Sequence, residues 1–193
     1  MRKVIIAILM FLSSAAVSQA QQYADLQTRL ADYVSRQDAR VGVAVIVDGK
    51  DTIDVNGRRD FPMLSVYKFP QAIAVADYCR RLGIQIGDSL AISAEEMHAN
   101  TYSPMYAKYG KNSLRLSVSE LLAYSLQQSD NNACDILFRL IGGPAKVASL
   151  MKSMGYGEVI VANTENEMHR NPYLCYQNRS TPLAMAGLLE QFN

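Results

Sequence analysis

Ser65-Val66-Tyr67-Lys68-Phe69-Pro70, followed by Gln71 to Cys79, is the stretch whose reading decides the fold of this chain. Phe69, Ala72, Ile73, Ala76 and Tyr78 to Cys79 suit a largely buried helix, with Gly83 as its stop. Pro70 removes the bond to the Val66 carbonyl, which predicts a local distortion near the helix start rather than a break. Ser65 and Lys68 are three apart, so on a helix they share one face and the amine can approach the hydroxyl. A serine hydroxyl is a poor nucleophile until a neighbouring base takes its proton. A helix N-terminus at Ser65 would also aim free N–H groups at developing negative charge. Both residue types are common, and Ser-x-x-Lys alone reads as an ordinary exposed pair.

Two further segments change its weight. Ser117-Val118-Ser119-Glu120 is a capping box ahead of Leu121, Leu122, Tyr124, Ser125 and Leu126, and that helix should end near Gln128. Ser129-Asp130-Asn131 then falls in the connection to a helix with Ile136, Leu137, Leu140 and Ile141 on its apolar face, closed by Gly142-Gly143. Pro144 opens another helix that ends before Gly155. From Asn163 to Ser180 no periodicity appears, and a long loop of this kind is usually functional. Within it Glu165 is a carboxylate able to polarise a water. Read as chemistry, Ser129 relays a proton, Asn131 holds substrate and Lys68, and Asp130 fixes the turn.

Outward from these motifs, Tyr23 to about Gln37 reads as an amphipathic helix through Leu26, Leu30, Tyr33 and Val34. Val41 to Val47 and Asp51 to Val55 read as strands joined by the Asp48-Gly49-Lys50 turn. Val159-Ile160-Val161 is a short extended run, and Thr181-Pro182 opens a last helix toward Gln191.

Arg2 and Lys3, an apolar run from Val4 to Leu12, and Ser18-Gln19-Ala20 have the order of a secretory signal peptide over residues 1–20. The run is too short to span a bilayer, and no Cys follows Ala20 to carry a lipid anchor. The expected location is the periplasm, with no stable membrane anchor after cleavage. The 193 residues carry 19 Lys+Arg against 18 Asp+Glu, without a basic stripe, which gives nucleic-acid binding little support. Cys79, Cys134 and Cys175 fit one bridge plus a free thiol or three reduced thiols. His98 and His169 lie far apart, and no Cys or His pair has zinc-ligand spacing, so neither a metal site nor another cofactor is expected.

Taken in order, the motifs resemble those of the class A serine β-lactamases, for which Ser-x-x-Lys, Ser-Asp-Asn and Lys-Thr-Gly are the signature. Phe61 to Pro70 is similar to the nucleophile segment of that family, and Arg40 to Val45 to its first strand. Tyr102-Ser103-Pro104 falls where the family has a tyrosine at the pocket mouth, and Thr164 to His169 resembles its omega loop. The resemblance implies an α+β serine β-lactamase/D,D-peptidase-like fold. Residues 21–60 would supply the N-terminal helix and hairpin of the α/β domain, and residues 61–193 an all-helical domain with omega loop 163–180.

It implies Ser65 as nucleophile, Lys68 and Ser129 as proton movers, and Glu165 as activator of the deacylating water. Asn131, Tyr102 and His169 would line the substrate site, and Asp130 and Asn178 would hold it together. The implied partner is a β-lactam, with no cofactor, and the implied assembly is a monomer. His169 replaces the family's usual asparagine, and Asn178 its usual aspartate, whose arginine partner would fall near Asn163. That ion pair is therefore expected to be lost on both sides. Met168-His169 and Gln177-Asn178 resemble the branch containing cephalosporinases and extended-spectrum enzymes, which points to cephalosporins.

The residues up to Asn193 do not contain the Lys-Thr-Gly strand, which in the family binds the substrate carboxylate and carries an oxyanion donor. Losing one such donor typically costs about 2.7–4 kcal/mol of transition-state stabilisation. A hairpin without the remaining strands also exposes an edge. The 193 residues by themselves are thus expected to be an unstable, nearly inactive N-terminal part. Two other readings remain open at this level: a penicillin-binding D,D-peptidase, and a non-catalytic truncated exported protein.

Overall fold

The computed structural model describes residues 21–192; the expected signal peptide, residues 1–20, lies outside them. The described residues divide into two compact units, residues 21–59 with 181–192, and residues 60–180.

In the first unit residues 21–35 form a helix, α1. Strands β1 (Val43–Val47) and β2 (Asp51–Val55) pair antiparallel with Val43 opposite Val55 and Val47 opposite Asp51. The three-residue loop between them places Asp48 at φ 50 and Gly49 at φ 66, and the Lys50 N–H closes the turn on the Val47 carbonyl at 3.1 Å. Helix α8 (Pro182–Glu190) packs on β1, and Thr181 caps it by accepting the Ala184 N–H. Ile53, Val34 and Leu188 are buried. The sequence reading grouped this last helix with residues 61–193. Its packing on β1 puts it with the hairpin instead.

The second unit is built around helix α2 (Lys68–Leu82), which ends on Gly83 at φ 68. Short strands β3 (Phe61–Pro62) and β6 (Arg179–Ser180) pair at the unit's start and end. Strands β4 (Ser89–Ile92) and β5 (Leu114–Ser117) form a second antiparallel pair, with helix α3 (Pro104–Tyr109) between them in sequence. Helices α4 (Val118–Gln128), α5 (Asn131–Ile141) and α6 (Pro144–Ser153) complete the packing, α2 touching all three.

The capping box at Ser117 and Glu120 forms as the sequence predicts. Val75, Leu121, Ile136, Leu137, Phe138, Val147 and Met151 make the core, and the Tyr67 and Phe138 rings stack with centroids 5.9 Å apart. All three cysteines are free thiols.

Two local expectations are corrected. Ser65 does not begin an α-helix: Leu64–Tyr67 form a 3-10 turn and α2 starts at Lys68, which is where the distortion expected from Pro70 falls. Residues 163–180 are not without structure. They hold helix α7 (Glu165–Arg170), a 3-10 segment Pro172–Gln177 and β6.

Leu137 is fully buried and Leu126 is 48% exposed. Leu137→Ala is expected to lower unfolding stability by about 2–5 kcal/mol, and Leu126→Ala by less than about 0.5 kcal/mol. Urea unfolding followed by circular dichroism measures both.

Candidate active site

Lys68 gathers the site. Its side chain is only 2% exposed, and a buried amine must be given polar partners or it costs several kcal/mol. Its Nζ donates to the Asn131 Oδ1 at 2.7 Å and the Ser129 carbonyl at 2.8 Å. The Ser129 Oγ lies at 3.2 Å, the Ser65 Oγ at 3.4 Å, and the Glu165 Oε1 at 3.2 Å as an ion pair. The Ser129 hydroxyl in turn donates to the Ser65 Oγ at 2.8 Å. Five of the residues singled out from the sequence thus meet around one nitrogen.

Each is delivered by a local device. Leu64 sits at φ 45, a strained angle for a side chain of its size, immediately before Ser65 in the 3-10 turn. Ser129 closes α4 at φ 55, in the left-handed region. Asp130 caps α5, and its fully buried carboxylate accepts from the Ser103 hydroxyl and from the Met105 and Ala133 N–H groups. Asn131 opens α5, donates its N–H to the Tyr102 carbonyl at 3.0 Å, and gives its amide N–H to Thr101 Oγ1 at 2.9 Å. Asn132 holds both the N–H and the carbonyl of His98. The 98–105 segment is therefore stitched to the α4–α5 junction.

Tyr102 stands apart from the amine: its ring is exposed, and its carbonyl is what holds Asn131. His169 does not reach Lys68 either. It pairs with Asn100, Nδ2 to Nε2 at 2.9 Å, and lines a cleft of about 340 Å3 together with Ser65, Thr101, Asn131, Glu165 and Met168. Cys175 lines that cleft too.

Asn178 is fully buried at the base of the 163–180 segment. Its Oδ1 accepts the Ala162 and Asn163 N–H groups at 2.8 and 2.9 Å, and its Nδ2 donates to the Asn163 carbonyl at 2.9 Å. Asn163 reaches across to the Leu174 carbonyl and the Gln177 side chain. Neutral amides thus tie the segment where the family's ion pair was expected to be missing.

The sequence reading did not single out Asp135, whose two oxygens accept the Glu165 and Asn166 N–H groups at 2.8 Å each. Burial, with the nearby Glu165 and Glu167 charges, raises its carboxyl to about 6. It also missed a buried cluster beneath the site. The Tyr67 hydroxyl meets Cys134 Sγ at 3.3 Å, and Gln71 bonds the Cys134 carbonyl and thiol. Desolvation holds the Tyr67 phenol well above its ordinary range, reinforced by Cys134 and Glu165, and also pushes the Cys134 thiol up.

A hydroxyl bonded to a second hydroxyl and to an amine, with a carboxylate on that amine, is the equipment of serine acyl transfer. The model of the Beta-lactamase enzyme family matches residues 25–193. A β-lactamase of Bacteroides uniformis is 37% identical over 190 residues, which cover 98% of this chain and 64% of that protein. The solved structure of the TLA-1 extended-spectrum β-lactamase superposes with a TM-score of 0.85 at 37% identity, over 88% of this chain and 62% of that one. A class A β-lactamase from Bacteroides cellulosilyticus gives 0.80 at 33% identity, over 88% and 60%. This chain belongs to the β-lactamase enzyme family, in its class A serine group. It spans less than two thirds of the length of these relatives.

Asp135 gives the site a pH signature. Its carboxyl sits at about 6 in the fold against an ordinary 3.8. The stability it contributes is therefore complete below about pH 4 and is lost as pH rises through 6, about 3 kcal/mol in all. The stability of the protein relative to Asp135→Asn, measured by urea unfolding from pH 4 to 7.5, is expected to decline across that window. A difference that stays flat contradicts the assignment.

Proposed function

We propose that the whole protein carrying this sequence hydrolyses β-lactams, cephalosporins among them, through an acyl-enzyme on Ser65. The Ser65 Oγ attacks the lactam carbonyl and gives its proton to Lys68 or, through water, to Glu165. The ring C–N bond breaks as the Ser129 hydroxyl protonates the leaving nitrogen. A water activated by Glu165 then attacks the ester carbonyl, the ester C–O bond breaks, and Ser65 recovers its proton. Asn131 holds substrate and Lys68. His169 lines the binding cleft, Tyr102 would stand exposed at its mouth, and Asp130 and Asn178 hold the turn and the loop. No cofactor enters the scheme.

The observation that carries this reading is the Glu165 carboxylate 3.2 Å from Lys68, beside a Ser65 hydroxyl bonded to Ser129 at 2.8 Å. A carboxylate at that place supplies the water-activating step that separates a hydrolase from a transpeptidase left with a long-lived acyl-enzyme. The extended-spectrum name of the TLA-1 neighbour and the Met168-His169 pair support cephalosporins as substrates. The signal-like residues 1–20 support export to the periplasm, where a monomer would give β-lactam resistance. Among the described residues no helix is long and apolar enough to cross a membrane.

Hydrolysis of a chromogenic cephalosporin by the full-length protein tests the reading. Ser65→Ala is expected to abolish turnover. Glu165→Gln should still acylate but lower kcat by on the order of 10²–10⁴-fold, with adduct accumulating. Unchanged turnover in either variant rejects it, and a persistent adduct on the unaltered protein points to the D,D-peptidase class.

A further inference from the structure

We propose that Asp135 is the positioning residue for Glu165 and does this only as a carboxylate, so that protonating Asp135 slows hydrolysis of the acyl-enzyme without slowing its formation. The inference rests on the hydrolase reading above and concerns the control of its second half-reaction.

The first turn of α7 has N–H groups without partners inside the helix, and each can be accounted for. The Thr164 N–H goes to the Glu167 carboxylate, and the Glu167 N–H to the Thr164 hydroxyl. The Met168 N–H returns to the Thr164 carbonyl. Those of Glu165 and Asn166 go to Asp135, one to each oxygen at 2.8 Å. An ionised carboxylate is an acceptor at both oxygens, so it satisfies both donors. A carboxylic acid carries a proton on one oxygen, and an asparagine carries an NH2 there. The acid leaves one N–H of the turn that bears Glu165 with only a weak hydroxyl acceptor, and the asparagine leaves it facing another donor.

The same bonds work in reverse: both backbone N–H groups lower the Asp135 pKa, so by linkage a proton on Asp135 weakens both. Around it stand Glu165, Glu167 and His169 from α7, and His98 from the segment before α3. Arg139 from its own helix is already paired with Glu96. No cation is paired with Asp135 among the described residues, so burial prevails and the group titrates at about 6.

Acylation with Lys68 as the base draws mainly on a different set of contacts, the Lys68–Glu165 ion pair being the one link between the two. Ser65, Lys68 and Ser129 are bonded to one another and to Asn131, and none of these bonds runs through Asp135. A shift of about 1 Å at a reacting group costs on the order of 10²-fold, and here that shift falls on Glu165, while Lys68 keeps its bonds to Ser129 and Asn131.

Time-resolved intact-mass measurement on the full-length protein with a chromogenic cephalosporin gives the rates of adduct formation and decay separately. For the unaltered protein, decay is expected to drop by about tenfold or more through a step near pH 6, with formation changing less than about threefold. Asp135→Asn should decay about tenfold or more slowly at pH 7.5 and lack the step, with formation again within about threefold. Asp135→Glu, which restores a carboxylate, should recover the step at a shifted pH.

The proposal is overturned if Asp135→Asn decays like the unaltered protein, or if formation and decay fall together. Where Asp135→Asn does not fold, absence of the step in the unaltered protein, or an unshifted step in Asp135→Glu, overturns it as well. A protein that forms no adduct at any pH fails the hydrolase reading itself and takes this inference with it.

Discussion

The placement of the Lys68 nitrogen is the constraint on which the rest of the site depends. An amine taken out of water is tolerated only when oxygens replace the lost hydration. Here those oxygens come from the end of α4, the start of α5 and the start of α7. Moving any of the three strips a partner from a buried group, so the fold of residues 60–180 and the geometry of the site are one requirement. Ser65 benefits because it lies one helical step before Lys68. The contacts that stabilise the amine bring its hydroxyl within 2.8 Å of the Ser129 hydroxyl and 3.4 Å of the amine itself.

A second layer of acceptors holds the segments that supply those oxygens. Asp130 fastens α3 and the α4–α5 turn, Asn132 fastens His98, Asp135 fastens α7, and Asn178 fastens the base of the loop. All four work by accepting backbone N–H groups. Asp130 and Asn178 are fully buried, where an unmade bond costs most. The loop base relies on the neutral amides of Asn163 and Asn178, which removes its dependence on charge there. Asp135 brings that dependence back at Glu165 and Asn166, just beyond that base.

The sequence carried the local half of this plainly. The Ser117–Glu120 box, the Gly83 and Gly142 stops, the Asp48-Gly49 turn and the Thr181-Pro182 start are short-range signals, and each appears at its residue. Ser65, Lys68, Ser129, Asn131 and Glu165 were legible as a set because their order along the chain matches a known pattern. Thr164-x-x-Glu167 is an equally local signal, a capping box that opens α7 inside a segment whose lack of periodicity reads as loop. The β4–β5 pair escaped because its strands are only four residues each and their near ends, Ile92 and Leu114, lie 22 positions apart in sequence. Asp135 and the Tyr67–Cys134–Gln71 cluster could not be read at all, since a buried polar residue on an apolar helix declares its partner only in three dimensions.

The chain therefore combines the proposed serine site with a loop held by its own set of acceptors. Peptide mapping of the full-length protein, acid-quenched during turnover of a cephalosporin, tests the central claim most directly. The account predicts a transient adduct confined to the tryptic peptide from Asp60 to Lys68, located on Ser65 and gone once substrate is exhausted. An adduct on any other residue, or product formed with no adduct at any quench time, would contradict it.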